Sequence, residues 1–270
     1  MKIAFIGAGN MASALIGGLI SRDIAAENIV AIDPGAEPRM RCSTTFGIET
    51  REGIDARISD SDVIVLAIKP QQMKETCTLL APLLRDQLVI SVAAGVRVRE
   101  IARWLGGHAR VIRAMPNTPA LVGLGATGLF ATVESGSEDR ERATLILGAV
   151  GVVVWLDAED DLDAVTAISG SGPAYVFYFI EAMQAVAEEF GFSPENARAL
   201  TLATFKGAVQ LADESSEAVG VLRERVTSKG GTTAAALAAF AEAGVAAGIR
   251  RGALAAKARS IQLGDELGAV

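Results

Sequence analysis

Two short stretches of this 270-residue chain place backbone donors where an anion could be held. GAGNMA at 7–12 is the G-x-G-x-x-A form of a dinucleotide fingerprint. In it Gly7 makes a tight turn, Gly9 lets a pyrophosphate approach, and Ala12 permits close packing of helix on strand. Asp33 ends the next apolar run, where an acidic side chain hydrogen-bonds the adenosine ribose hydroxyls and repels a 2′-phosphate; ahead of Pro34 it also fits a solvated turn aspartate. The second stretch is SKGGTTAAALAAF at 228–240. Gly230 and Gly231 free the backbone for positive φ, and the helix after them offers unpaired N–H groups to a small carboxylate or phosphate. The competing reading is a glycine turn with Thr232 or Thr233 as an ordinary helix cap. Lys69, closing the run DVIVLAIKP at 62–70, is either a partner for a cofactor phosphate or ribose or a solvated lysine.

What the chain lacks narrows the chemistry. His108 is the single histidine and lies in the loop-like GGHAR. A hydride acceptor that needs no strong general base therefore suits the chain better than an alcohol–ketone pair. An imine is such an acceptor: its own proton polarises it, so the protein need only hold it and offer a hydrogen bond. Cys42 and Cys77 stand far apart and outside any C-x-x-C, so neither a disulfide framework nor a thiolate metal site is expected, and a reducing cytoplasm fits. The formal charge of −7 is spread without a basic stripe, which points to small molecules rather than nucleic acid or a membrane surface as partners. The uncharged residues 3–21 and ASA at 12–14 imitate a leader peptide, but the apolar run at 3–6 is short and Gly7, Gly9, Gly17 and Gly18 interrupt the rest of the stretch. The apolar run at 143–156 falls short of a membrane span.

These residues need a scaffold, and the sequence describes one. KIAFIG, NIVAID, DVIVLAIKP, QLVISVAAG, RVIRAMPN, GLFAT and GVVVWLD read as buried strands, with helical spacing of Met11, Leu15 and Leu19 after the first and helical material at 72–84 and 99–105. Strand, helix and strand within about thirty residues make a βαβ unit, and the alternation predicts a mostly parallel, doubly wound sheet. After AEDDLDAV at 158–165 no Val/Ile-rich strand is found. Ala-rich helices take over, with Pro173 and Pro194 at helix starts and Ser171 or Gly172, and Ser193, as their caps. The expectation is an α/β Rossmann domain at 1–160 and an all-α domain at 161–270.

With these residues placed, the whole chain resembles the pyrroline-5-carboxylate reductase family. The likeness is carried in order by FIGAGNM at 5, AIKP at 67, SVAAGV at 91, RAMPNTPALVG at 113, DAVTAISGSGPAYVF at 163 and VTSKGGTT at 226. The resemblance implies reduction of 1-pyrroline-5-carboxylate to L-proline by NAD(P)H, and a helical domain that makes an interlocked homodimer, from which higher assemblies can form. It implies cofactor contacts from Ile6, Gly7, Ala8, Gly9, Asn10, Met11, Asp33, Ala67, Ile68, Lys69, Pro70 and Ala93, with Asp33 favouring NADH and Arg39 and Arg41 available as compensation for a 2′-phosphate. It assigns substrate binding to Ser228, Gly230, Gly231, Thr232 and Thr233, with Ser228 and the N–H groups of Gly231, Thr232 and Thr233 on the carboxylate and the Thr233 hydroxyl reaching the ring nitrogen as the catalytic donor, and it calls for no metal. The family usually has proline where this chain has Lys229 and His-Pro where it has Ala218-Val219. A rival reading, a β-hydroxyacid dehydrogenase with Lys206 as its lysine, leaves SGSGPAY and SKGGTT without a role. A nucleotide-sensing module without catalysis leaves the turn at 228–233 unexplained.

Overall fold

The computed structural model describes residues 1–268. Contacts divide the chain into two compact units: Met1–Ser171 together with the stretch from Ala255 onward, and Gly172–Leu254.

In the first unit the elements run β1 (Ile3–Ile6), α1 (Asn10–Ile20), β2 (Ile29–Ile32), α2 (Ala36–Phe46), β3 (Glu49–Arg51), β4 (Val63–Leu66), α3 (Met73–Leu80), β5 (Leu88–Ser91), α4 (Val98–Trp104), β6 (Val111–Met115), β7 (Gly125–Ala131), α5 (Ser137–Gly148), β8 (Gly151–Trp155) and α6 (Asp161–Val165). The eight strands form one sheet in the order β3-β2-β1-β4-β5-β6-β7-β8. All pairs are parallel except β6 with β7. Uninterrupted apolar strands such as IAFI are what a sheet covered on both faces requires. Ile3 and Phe5 point into one cluster with Leu15, Ile16 and Leu19 of α1. Ala4 and Ile6 point into the other, with Met73, Cys77 and Leu80 of α3 and Ile101 of α4. β3, α2 and α5 were not anticipated from the sequence. Glu49-Thr50-Arg51 is a polar edge strand, and α2 and α5 are mostly polar helices, each burying few residues.

Residues 161–171 and the chain from Ala255 join the first unit through buried groups. Leu162, Asp163 and Ala167 are buried, as are Ser260 and Gly264 near the end of α11 (Val245–Gly268). A polar network holds them. Arg113 of β6, only 2% exposed, pairs with Glu159 at 2.9 Å, and Glu159 also accepts the Val98 N–H at 2.7 Å. Arg97 pairs with Asp163 at 2.7 Å, and the Ser260 hydroxyl donates to the other Asp163 oxygen at 2.6 Å. Burial pulls the Arg113 guanidinium below its ordinary pKa and Glu159 opposes that pull, so the pair is worth keeping only while both partners remain.

The second unit is helical: α7 (Gly172–Glu189), α8 (Pro194–Asp213), α9 (Val219–Arg225), α10 (Thr232–Glu242) and α11 as far as Leu254. Ser193 caps α8 by accepting the Asn196 N–H at 3.3 Å. Ser171 and Gly172 do not open α7 as a fresh helix. The chain passes from α6 through a π-turn, Thr166–Gly170, closed by the Ser171 N–H on Thr166 O at 2.8 Å. Pro173 has no N–H to give the carbonyl four residues back, and the helix widens there instead of stopping.

Candidate functional site

β1, β4, β5 and β6 are parallel, so their carboxyl ends share one edge, and the order reverses between β1 and β4. Open α/β sheets bind ligands at such a switch point. Gly7 leaves β1 at φ +100°, and a Cβ there would lie 2.3 Å from Ala67 O. Its glycine character is thus demanded by the protein itself, by the close pass of the chain after β4. Gly9 differs. It precedes α1 without any side-chain cap, and a Cβ on it would meet nothing within 4 Å. The open space and the uncapped N–H groups of Asn10 and Met11 fit a pyrophosphate. Ala8 and Ala12 are buried beneath them.

Asp33, at the end of β2, takes the turn role that its sequence context allowed and braces the fingerprint as well. One carboxylate oxygen accepts the Ala8 N–H at 2.8 Å, tying the fingerprint turn to β2. The other accepts the Gly35 N–H at 2.8 Å, as a turn aspartate does. Arg39 donates to the carbonyls of Asp33 and Pro34 at 2.7 and 2.8 Å, and Arg41 to Ala8 O at 3.1 Å. Arg39 is thus held against the main chain of Asp33, and Arg41 against that of the fingerprint turn. A cleft of about 350 Å³ opens here, lined by Ile6, Gly7, Asp33, Ile68, Gln72 and Leu79 among others. Ala67 and Ile68 are half-buried, Lys69 is exposed, and Pro70 starts a 3-10 turn, Pro70–Gln72. Ala93 is buried beyond β5, its N–H on the Ser91 hydroxyl at 3.3 Å. The fold thus gathers the anticipated cofactor residues on one sheet edge. His108 lies at the opposite edge, its Nε2 2.8 Å from the carbonyl of Gln87 just ahead of β5.

The turn at 228–233 belongs to the second unit. Gly230 has φ +71°, and a Cβ on Gly231 would strike Ser228 Oγ at 2.4 Å. Gly231 occupies the cap position of α10, and no side chain caps the helix. Thr232 and Thr233 are therefore not caps, and the hydroxyls of Ser228, Thr232 and Thr233 make no hydrogen bond among the described residues. The Gly231 N–H, expected on the substrate carboxylate, is instead spent on Ser228 O at 3.0 Å, because the positive φ of Gly230 folds the turn back on itself. This leaves the N–H groups of Thr232 and Thr233, with three hydroxyls, as the free donors of the turn. Lys229 is exposed, and Ala218 precedes α9 without a side-chain cap. One residue the sequence reading passed over is Asn117, inside the quoted RAMPNTPALVG. It is 9% exposed and bonded on both sides of its amide, and only the folded chain reveals those partners.

Sheet order, glycine turn and uncapped helix define a Rossmann-type dinucleotide-binding protein carrying a helical unit. Two family descriptions match it: "NADP oxidoreductase coenzyme F420-dependent" over residues 2–95 and "Pyrroline-5-carboxylate reductase dimerisation" over residues 159–263. A pyrroline-5-carboxylate reductase from Pseudomonas aeruginosa is 47% identical over 268 residues, covering 99% of this chain and 98% of its own length. The solved pyrroline-5-carboxylate reductase of Coxiella burnetii superposes with a TM-score of 0.91 at 39% identity, covering 97% of this chain and 98% of that one. The Plasmodium falciparum pyrroline carboxylate reductase, solved with NADP bound, gives 0.86 at 29% identity, with 98% of each chain covered. This chain belongs to the pyrroline-5-carboxylate reductase family.

Proposed function

We propose that this chain reduces 1-pyrroline-5-carboxylate to L-proline with NAD(P)H, the last step of proline synthesis. Full-length kinship to proteins named for this reaction supports the reading. The observation that carries it is the turn at 228–233, where the Thr232 and Thr233 N–H groups and three hydroxyls have no partner among the described residues. The N–H groups of Thr232 and Thr233 and the Ser228 hydroxyl hold the substrate carboxylate at the positive end of α10. Gly230 and Gly231 give the turn its shape. The Thr233 hydroxyl donates toward the ring nitrogen and orients the imine. Ile6 to Met11 and Asp33 hold the adenosine and pyrophosphate portions of the cofactor, and Ala67 to Pro70 and Ala93 line the remainder. When bound, NAD(P)H supplies the hydride that saturates the imine carbon. Asp33 leaves NADH usable, since its charge opposes a 2′-phosphate while Arg39 and Arg41 stand close enough to offset it.

We assign nucleotide binding to residues 1–160, and substrate binding and dimerisation to residues 161–270. The chain self-associates through the matched dimerisation region; a homodimer, alone or in a higher assembly, is the form we infer. No single helix among the described residues is long and apolar enough to cross a membrane, and neither nucleic acid nor a membrane is expected as a partner. Two buried free cysteines suit a cytoplasmic location. Lys206, the lysine of the β-hydroxyacid dehydrogenase reading, is exposed on α8. The deciding experiment tracks NADH and NADPH consumption with pyrroline-5-carboxylate and with piperideine carboxylate. Turnover of the five-membered imine is expected, and its absence in a protein that binds the nucleotide would overturn the reading.

A further inference from the structure

Ser169 has a carbonyl that regular α-helix cannot satisfy, because its partner four residues on is Pro173, which has no N–H. The Asn117 side chain supplies the missing donor: Nδ2 donates to Ser169 O at 3.0 Å. Its Oδ1 accepts the Ala126 N–H of β7 at 2.8 Å, so one nearly buried amide joins the π-turn to the sheet. The fit around the turn is close. A Cβ on Gly170 would lie 2.7 Å from Met115 Cε, and one on Gly128 would lie 2.9 Å from Val165 Cγ2. Met115 is the last residue of β6, and Asn117 comes two residues later. The π-turn is therefore fixed at the carboxyl edge of the sheet, on the β4-β5-β6 side of the switch point. The fingerprint and Asp33 claim the β1-β2 side for the adenosine half, so the nicotinamide half belongs where the π-turn stands.

Building on the proposed function, we infer that Asn117 is a positioning residue: it substitutes for the absent Pro173 N–H, locks the π-turn Thr166–Gly170, and so fixes the wall against which the nicotinamide ring is aligned. π-Turns inside helices recur at functional sites for this kind of local re-aiming. Misalignment of reacting atoms by about 1 Å can cost a hundredfold in rate.

The test is Asn117→Ala, with binding of ADP-ribose and of NADH measured beside turnover. ADP-ribose carries no nicotinamide. Its affinity is expected to stay within about twofold of wild type, while NADH affinity falls and kcat drops by about tenfold or more. A variant with wild-type kcat per folded molecule and only a lower melting temperature would overturn the inference, as would equal losses of ADP-ribose and NADH affinity. Should Asn117→Ala not fold, Asn117→Asp decides. It keeps an acceptor for the Ala126 N–H and removes only the donor to Ser169, so a comparable fall in kcat in a well-folded protein supports the inference, and wild-type kcat overturns it. Were the wild-type protein to bind NADH but reduce no pyrroline-5-carboxylate, the proposed function would fail. The ratio of NADH to ADP-ribose affinity in Asn117→Ala would still decide the role of Asn117.

Discussion

The Rossmann unit and the helical unit are built on opposite terms. In the first, β1, β4 and β5 are buried along their whole length and two apolar clusters flank the sheet. In the second, α7, α9 and α10 bury no residue, and α8 buries only Ala197 and Thr201. Phe177 is 65% exposed and Phe190 77%, along with Tyr178, Val209, Leu211 and Phe240. Surface of this kind on a monomer would be an aggregation hazard; on a subunit it is an interface. One unit satisfies its own hydrophobic side chains, and the other leaves them open within the region that matches a dimerisation family. Yet each unit presents the same device to a ligand, a helix start with no side-chain cap behind a glycine turn, Gly9 in one and Gly231 in the other.

The most severe challenge to this contrast is to charge the helical surface. Phe177→Asp or Phe190→Asp would change stability by no more than about 0.5 kcal/mol if those rings faced water. We expect instead loss of the assembled species in analytical ultracentrifugation and loss of activity, whereas Leu145→Asp on α5, also exposed, leaves the sedimentation profile alone. An active monomer carrying Phe177→Asp would remove the dependence.

Next in size is a pair of alanines in the fingerprint. Gly7→Ala forces a Cβ against Ala67 O at positive φ, and should lower stability by about 1–3 kcal/mol or more as well as weaken nucleotide binding. Gly9→Ala meets no protein atom, so thermal unfolding should match wild type while KM for NADH rises about tenfold or more. Equal losses of stability in both would mean that Gly9 serves the fold and not a ligand.

The matching position in the helical unit gives a smaller effect. Thr233→Ala is expected to lower kcat/KM by about tenfold, the consequence of one transition-state hydrogen bond worth about 1.4 kcal/mol. Its melting temperature should hardly move, since Gly231 and not a threonine occupies the cap position. Thr233→Ser should recover most of the activity. A stability loss of about 1 kcal/mol with intact turnover would return Thr233 to capping.

Smaller still is the cofactor preference. Asp33→Ser removes a negative charge beside Arg39 and Arg41, and kcat/KM for NADPH relative to NADH should rise several-fold, with some stability lost because Ala8 and Gly35 lose an acceptor. An overwhelming NADPH preference in wild type, unchanged by the substitution, would show that Asp33 serves the turn alone. The least change is expected from thiol reagents. Both cysteines are buried in the first unit, and burial pushes the Cys77 thiol up to about 12, so neither should be modified at neutral pH until the Rossmann core opens.

Much of the first unit was legible because buried parallel strands are written as uninterrupted apolar runs, and KIAFIG, DVIVLAIKP and QLVISVAAG each became a strand. β3 and α2 escaped because Glu49-Thr50-Arg51 and AEPRMRCSTTF carry no apolar period, their places being set by pairing with β2 and by packing of a few residues such as Cys42. The candidate sites were legible for a different reason. Gly7 and Gly9 lie in one short motif and residues 228–233 in another, each recognisable from consecutive residues, and Asp33 is marked by its place at the end of the next apolar run. Asn117 was not, since its partners Ala126 and Ser169 are 9 and 52 residues away.

The order of the apolar runs, the glycines at 7, 9, 230 and 231, and the hydroxyls around them determined the class of fold, the cofactor class and the glycine turn ahead of α10, because each is written as a short pattern of consecutive residues. The tertiary structure decided what depends on distant partners. It showed that Asp33 braces the fingerprint through Ala8, that Gly231 rather than a threonine stands at the cap of α10, and that Arg113 is buried against Glu159. It also showed that the chain after Pro173 leaves most of its aromatic rings exposed, Phe177 and Phe190 among them. Hydrogen bonds and burial between residues far apart arise from packing, and no local pattern of side chains encodes them.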